Sequence, residues 1–260
     1  MKIKFLGVGS AFTTTEYYQS NMLVTAKEGK KMLLDCGTDI RFSLGAEGID
    51  GKSFCEHIEA IYISHLHSDH IGGMEWVALN SYLSPLQIKP VLLAEEKLMR
   101  ELWNNSLKGG LGCISGKCMH LTDYFVCQPI RNGGSFVWRD IHFSLLQLPH
   151  IMTGYKNHYS YALRLEGTEN RGNSVLITMD TQFCPDLLMP IMEEAAVIFH
   201  DCETHAVKSG AHAHYDELCT LPMSIKKKMW LYHYQPDPNR HPRLEGFKGF
   251  VAKGQEFDIS

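Results

Sequence analysis

Short apolar runs punctuated by Gly, Pro, Asn and Asp recur along the chain: KIKFLGV, NMLVTA, KMLLDCG, EAIYIS and KPVLLA, then IHFSLLQL, YSYALRLEG, SVLITMD, AAVIFHD and KMWLYHY. Runs of this length, rich in branched and aromatic residues and bounded by turn formers, predict β-strands. Four segments carry apolar positions three or four apart and predict helices instead: GGMEWVALNSYL, EEKLMRELWNNSL, CPDLLMPIMEEA and YDELCTLPMSIKKK. Strands outnumber helices and are interleaved with them, as in an α/β chain. No repeat, low-complexity tract or long linker interrupts the sequence, so residues 1–260 are expected to form one domain. SLKGGLGCISGKCMHLTDY, Ser106 to Tyr124, breaks the rhythm and is expected to be an irregular excursion.

Length and composition narrow the class. A chain of 260 residues can bury roughly three-quarters of its unfolded surface without staples. A hydrophobic share of 44% with 21% charged residues is that of a globular protein, not a disordered or fibrous one. The opening MKIKFLGVGS has too short an apolar run for a secretory signal, and no run reaches membrane-spanning length, so a cytoplasmic protein is expected. The net charge of -4 argues against sequence-independent binding to nucleic-acid polymers, which needs a cationic face. A small anionic substrate held by metal ions remains compatible with it. The eight cysteines are scattered, which suits reduced thiols. Cys113, Cys118 and His120 in GCISGKCMH suggest a zinc site, but without a second closely spaced pair the pattern reads as a loop with free thiols.

The chemistry concentrates in ISHLHSDHIGG, Ile63 to Gly73. A strand ending at Ile63 delivers the following turn to the edge of a sheet. Alternate residues of an extended chain point the same way, so His65 and His67 can share one ion, while Asp69 and His70 turn toward a second. Gly72 and Gly73 let the chain bend into the helix that follows.

HLHSDHIGG resembles the metal-binding signature of the metallo-β-lactamase superfamily. The resemblance implies an αββα sandwich: two mixed β-sheets face to face, with helices on the outer faces. It also implies further ligands where strands give way to loops: His150 after IHFSLLQLP, Asp180 after SVLITM and His233 after KMWLY. His65, His67, His150 and Asp180 would then hold one ion, and Asp69, His70, Asp180 and His233 the other, with Asp180 bridging.

Within the superfamily, FLGVGSAF, LLDCGTD, PHIMTGY and MDT are similar to the tRNase Z branch. FHDCETH followed by HAHYDEL corresponds to the segment that carries, in that branch, a histidine over the scissile phosphate. His214 is matched to that histidine, with His212 as the alternative. The departure is equally informative. Positions 151–179, between His150 and Asp180, are taken up by two strands and a hairpin loop, leaving no room for the basic arm that grips tRNA. A phosphodiesterase core without that arm resembles the anti-Pycsar family, phage and bacterial proteins that hydrolyse cyclic mononucleotides used as immune signals. MKIKFLGVGSAFTTTEYYQSNMLV and the compact length fit that family across nearly the whole chain.

This resemblance implies two Zn²⁺ per chain, with Mn²⁺ as the alternative. Asp69 would orient the attacking water as well as bind the second ion, and His214 would protonate the departing ribose oxygen. The implied substrates are 3′,5′-cyclic mononucleotides (cAMP, cGMP, cCMP and cUMP), opened to 5′-monophosphates in the cytoplasm of a bacterial or infected cell. No membrane or tRNA partner is expected. A homodimer is, and the excursion from Ser106 to Tyr124 is long enough to reach a neighbouring subunit. Tyr17, Tyr18 and Tyr155 are candidates for stacking on the base. Three rivals stand beside this reading: a short-armed RNA 3′-processing endonuclease, a thioester or lactone hydrolase with the same ligands, and an inactive protein that sequesters a nucleotide.

Overall fold

Residues 1–169 and 172–259 are described by the computed structural model. They build two seven-stranded sheets. In the first, Glu256–Asp258, Lys2–Phe5, Met22–Thr25 and Lys31–Leu34 run antiparallel. Ile58–Tyr62, Val91–Glu95 and Val126–Ile130 continue it in parallel. In the second, Gly249–Phe250, Met229–Tyr232, Val197–Asp201 and Val175–Ile177 are parallel. Asn157–Gly167, Ile141–Met152 and Ser135–Trp138 complete it in antiparallel order. Each apolar run read as a strand contributes one, and both sheets are mixed as expected.

The sheets face each other across one buried cluster that takes Ile3, Phe5, Leu33 and Ile61 from the first and Phe143, Leu163, Ile177 and Phe199 from the second. Phe5 meets Phe199 and Tyr232 at ring separations of 5.0 and 5.4 Å. The Tyr62 hydroxyl crosses the gap to donate to the Tyr161 carbonyl at 2.8 Å. A second cluster lies under the helices Pro185–Glu194 and Tyr215–Leu218, where Leu188, Met192 and Leu218 cover Leu176 and Ile198. Burying a side chain of this size contributes ~1.5–3 kcal/mol, so the two layers hold the frame rigidly. Met74–Leu83 buries Met74, Val77, Ala78 and Ser81, the spacing of one helix face, and ends at Ser84, where Pro85 forces extended backbone.

Two expectations are corrected. YDELCTLPMSIKKK is not one helix but two, Tyr215–Leu218 and Met223–Lys226, because Pro222 has no amide to donate and disfavours helical backbone at Leu221. The stretch from Ser106 to Tyr124 is not irregular. The helix Glu96–Leu102 passes through a π-helical turn, Trp103–Leu107, into Lys108–Leu111. A hairpin of Cys113–Ile114 with Lys117–Cys118 and a helical turn, Leu121–Tyr124, follow. Leu111, Met119, Leu121 and Tyr124 are buried, and the Tyr124 hydroxyl donates to the Leu111 carbonyl at 2.7 Å. Among the described residues, no helix is long and apolar enough to cross a membrane.

Parallel strands of both sheets end at the same rim. Asp35 follows Leu34, His65 lies shortly after Tyr62, Asp180 after Ile177 and His233 after Tyr232, while Asp201 ends its own strand. Loops leaving the carboxyl ends of parallel strands are where an α/β sheet gathers functional groups.

Candidate metal centre

The histidine-rich turn stays extended through His67 and then makes one helical turn, Ser68–Ile71, which swings Asp69 and His70 to a different side from His65 and His67. It packs directly on the loop after Leu34. A Cβ at Gly37 would meet the Asp69 carbonyl oxygen at 2.2 Å, so only glycine permits this approach. His150 lies at a bulge between Pro149 and Ile151, where it escapes the strand ladder and is re-aimed. Met179, immediately before Asp180, and His233 both take left-handed backbone, with φ of 52° and 62°. Such strain costs about 1–3 kcal/mol per residue and persists only where the surroundings fix it.

Among the described residues the donor atoms converge in three overlapping groups that share Asp180; two together hold all seven sequence-predicted ligands, and the third joins Asp180 and His233 to Asp201 and His212. In one of those two, His67 Nδ1 lies 3.0 Å from His65 Nε2 and 3.0 Å from His150 Nε2. Asp180 Oδ2 closes this group at 3.6 Å from His65 Nε2 and 3.8 Å from His150 Nε2. In the other, His70 Nε2 lies 3.2 Å from both Asp69 Oδ2 and Asp180 Oδ2. His233 Nε2 is 3.3 Å from Asp180 Oδ2 and 3.7 Å from Asp69 Oδ2. Tetrahedral zinc with ~2.0–2.1 Å bonds needs donors about 3.3 Å apart, and these spacings bracket that value.

Charge argues the same way. Asp35, Asp69, Asp180 and Asp201 are all buried, and their ion-pair partners among the described residues are histidines. Several buried carboxylates with no Lys or Arg beside them need another source of positive charge. His70 Nε2 is buried yet aligned for a hydrogen bond with neither neighbouring carboxylate, and Asp180 Oδ1 is likewise unpartnered. Burial, aided by neighbouring histidines, drives His65 far below its ordinary value and His67 to about 4. Burial also lowers His150 and His233. Their lone pairs are therefore free at neutral pH. Burial opposes ionisation of the carboxylates, but His70, itself held well above its ordinary value against burial by Asp180, Asp69 and Asp35, helps keep Asp69 at about 2 and Asp180 well below the ordinary range. The donor set thus fits a pair of divalent cations.

Comparison with known proteins places this geometry. A family model for the anti-Pycsar protein Apyc1 matches residues 1–257. The chain belongs to the anti-Pycsar family. The anti-Pycsar protein Apyc1 of Bacillus phage vB_BveM-Goe7 is 31% identical, over 98% of this chain and 97% of its own. That of Paenibacillus harenae is 30% identical over 100% of both. The metallo-beta-lactamase fold protein YhfI from Bacillus subtilis superimposes with a TM-score of 0.73 at 16% identity, covering 98% of each chain. The fold of this anti-Pycsar family member is therefore the metallo-β-lactamase fold.

The two histidines left open by the sequence separate clearly. His214 caps the helix Tyr215–Leu218: its Nδ1 accepts the Asp216 amide at 3.2 Å, and its Nε2 donates to the His205 carbonyl at 2.8 Å. Both ring nitrogens are thus engaged within its own loop, and the structure does not bring His214 into the ligand cluster, where it was expected to stand over the phosphate. His212 sits in the cluster instead, its ring 5.0 Å from that of His150 and 5.1 Å from that of His233. Its Nδ1 donates to Asp201 Oδ2 at 2.8 Å, and the side chain keeps 20% exposure. Burial works against its imidazolium, but Asp201 and Asp180 outweigh it and raise the pKa to about 10.

The loop carrying His212 is tied from several directions. Buried Glu203 accepts the Ser209 amide at 2.9 Å, the Gln182 side chain donates to the Gly210 carbonyl, and His150 Nδ1 donates to the Ala211 carbonyl at 2.9 Å.

The tyrosines fare differently. Tyr17 bonds Asp237 through its hydroxyl at 3.0 Å, and the face of Tyr18 is covered by the Lys253 ammonium at 4.6 Å. Both are therefore already engaged with neighbouring side chains. Tyr155, 95% exposed, stands between Met152 and Asn157 in the hairpin beyond His150.

Asp35 and Asp201 were not among the sequence candidates. Asp35 Oδ2 accepts from His70 Nδ1 at 2.7 Å and from the Ser64 hydroxyl, while Oδ1 accepts the Ser64 amide at 2.8 Å. The signal was an acid directly after the apolar run of KMLLDCG: a carboxylate carried into a core must have partners. Asp35→Asn is expected to weaken the Asp69/His70/Asp180/His233 site ~10–100-fold, the usual cost of losing a histidine's supporting carboxylate, while sparing the other. Competition with a zinc chelator measures both sites. Equal weakening of the two contradicts the assignment.

Proposed function

We propose that this anti-Pycsar family member is a metal-dependent phosphodiesterase that hydrolyses 3′,5′-cyclic mononucleotides to 5′-monophosphates, removing the signal of a cyclic-nucleotide defence. The observation that carries the reading is the double donor set hinged on Asp180, in a chain matched along its length by anti-Pycsar relatives. His65, His67, His150 and Asp180 would hold one cation, and Asp69, His70, Asp180 and His233 the other. Two Zn²⁺ ions, or Mn²⁺ as the alternative, would supply Lewis acidity toward the phosphoryl oxygens and lower the pKa of water. Asp69, besides serving as a ligand, orients the attacking water. His212 replaces His214 as general acid: Asp201 fixes its Nδ1 proton, so that Nε2 delivers a proton to the departing 3′ oxygen. Tyr155 is the remaining candidate for contact with the base. The protein acts as a single-domain enzyme in the cytoplasm, and as a homodimer on family resemblance alone.

A thioester or lactone hydrolase uses no phosphoryl group, and a screen separates the classes. Zinc-loaded protein is expected to turn over bis(p-nitrophenyl) phosphate and to leave thioesters and lactones intact. Preference for a thioester contradicts the reading.

A further inference from the structure

The hairpin formed by Cys113–Ile114 and Lys117–Cys118 lies outside the metal centre, and the proposed chemistry does not use it. Its turn residues Ser115 and Gly116 both adopt left-handed backbone, with φ of 48° and 76°, the type I′ pattern that closes a two-residue hairpin and fixes its register. Cys113 is thereby set directly opposite Cys118, and Ile114 opposite Lys117. The Met119 amide donates to the Gly112 carbonyl at 3.0 Å, so the pair before the cysteines is a hydrogen-bonded one. Hydrogen-bonded and non-hydrogen-bonded pairs alternate along an antiparallel ladder, which makes Cys113 and Cys118 a non-hydrogen-bonded pair with Cα atoms about 4.5 Å apart. A disulfide needs ~4.4–6.8 Å, so the bond can close with little backbone movement.

Access singles out the same pair. Cys113 and Cys118 are both exposed, whereas Cys36, Cys55 and Cys202 are buried and the remaining three are half-buried. Leu111 and Met119, buried on either side, hold the hairpin to the core and keep its cysteines outward. Cys113, Cys118 and His120 do not come together as a three-ligand group among the described residues, so the zinc pattern hinted at by GCISGKCMH is not formed.

We propose that Cys113 and Cys118 form a reversible dithiol–disulfide couple, a surface modification site for peroxides. One thiolate attacks the O–O bond of hydrogen peroxide to give a sulfenic acid and hydroxide, which leaves as water after taking a proton. The second thiolate attacks that sulfur, forms the S–S bond and expels the sulfenic oxygen, again as water. In sum, two thiols lose two electrons and two protons, and the peroxide becomes two waters. A dithiol reductant reverses the change by exchange.

The test treats native full-length protein with a slight excess of hydrogen peroxide and then alkylates free thiols in denaturant. Alkylatable thiols are expected to fall from eight to six. Trypsin, cutting after Lys117, should release peptides 109–117 and 118–131 joined by a bond that a dithiol reductant breaks. The second peptide also contains Cys127, so Cys118→Ser must abolish the link, as must Cys113→Ser; both positions are exposed, and serine is tolerated there. A link that persists in Cys118→Ser, a disulfide between two chains, or sulfinic acid at either cysteine without a link overturns the proposal.

Discussion

Replacing Asp180 with alanine is expected to strip most of both metal ions and to slow phosphodiester hydrolysis by ~10³-fold or more, the several kcal/mol that Lewis-acid stabilisation supplies. The reason is geometric. Asp180 Oδ2 lies 3.6, 3.2, 3.8 and 3.3 Å from the nearest nitrogens of His65, His70, His150 and His233. No other carboxylate enters both donor groups. Its removal takes from both donor groups the one carboxylate that they share. His233→Ala, by contrast, leaves the His65/His67/His150/Asp180 group intact and is expected to release chiefly the second ion. Elemental analysis reads the difference. Wild type that saturates at one ion per chain, or Asp180→Ala that retains a full complement, contradicts the shared-ligand arrangement.

His212→Ala is expected to leave metal content near wild type while slowing hydrolysis of a cyclic nucleotide by ~10²–10⁴, the usual worth of a positioned general acid. The defect should shrink for bis(p-nitrophenyl) phosphate, whose leaving group needs no proton. His214→Ala serves as the contrast. It removes a helix cap and leaves the His205 carbonyl without its donor, so it is expected to lower stability by about 1–2 kcal/mol with little change in leaving-group dependence. Equal losses on both substrates for His212→Ala would remove proton donation from its role, and loss of metal would make it a ligand instead.

The contrast between His212 and His214 marks where sequence stops being informative. Two histidines one residue apart in AHAHYDEL carry the same chemistry on paper. What separates them is the parallel bridge between Glu203 and His214, which registers the segment so that one ring caps a helix and its neighbour faces Asp201. Non-local pairing of this kind has no local signature. The histidine turn was legible for the opposite reason: its residues are adjacent, and a strand followed by a single helical turn dictates where each points.

The same logic explains the strands. The ten apolar runs are the inner strands, buried on one or both faces. Apart from the separate hairpin of Cys113–Ile114 and Lys117–Cys118, the unforeseen ones, Glu256–Asp258, Val126–Ile130, Gly249–Phe250 and Ser135–Trp138, are the edges of the two large sheets. These edge strands are short and include Pro129 and Gly249, residues that weaken a strand pattern, so they are hard to read from sequence. The excursion from Ser106 to Tyr124 misled because its glycines read as loop, although Gly109 and Gly110 sit in a helical turn anchored by Leu111.

The most direct test of the central claim is product analysis. Metal-loaded protein is incubated with cAMP, cGMP, cCMP, cUMP and a precursor tRNA, and the products are read by mass spectrometry and chromatography. Purine and pyrimidine cyclic mononucleotides alike are expected to give 5′-monophosphates, because the metal ligands and His212 address the phosphate and ribose that all four share. The tRNA should remain intact, since the segment 151–179 is short for an arm to grip it and the net charge of -4 opposes a large polyanion. Efficient cleavage of the precursor tRNA with no turnover of any cyclic mononucleotide contradicts the account.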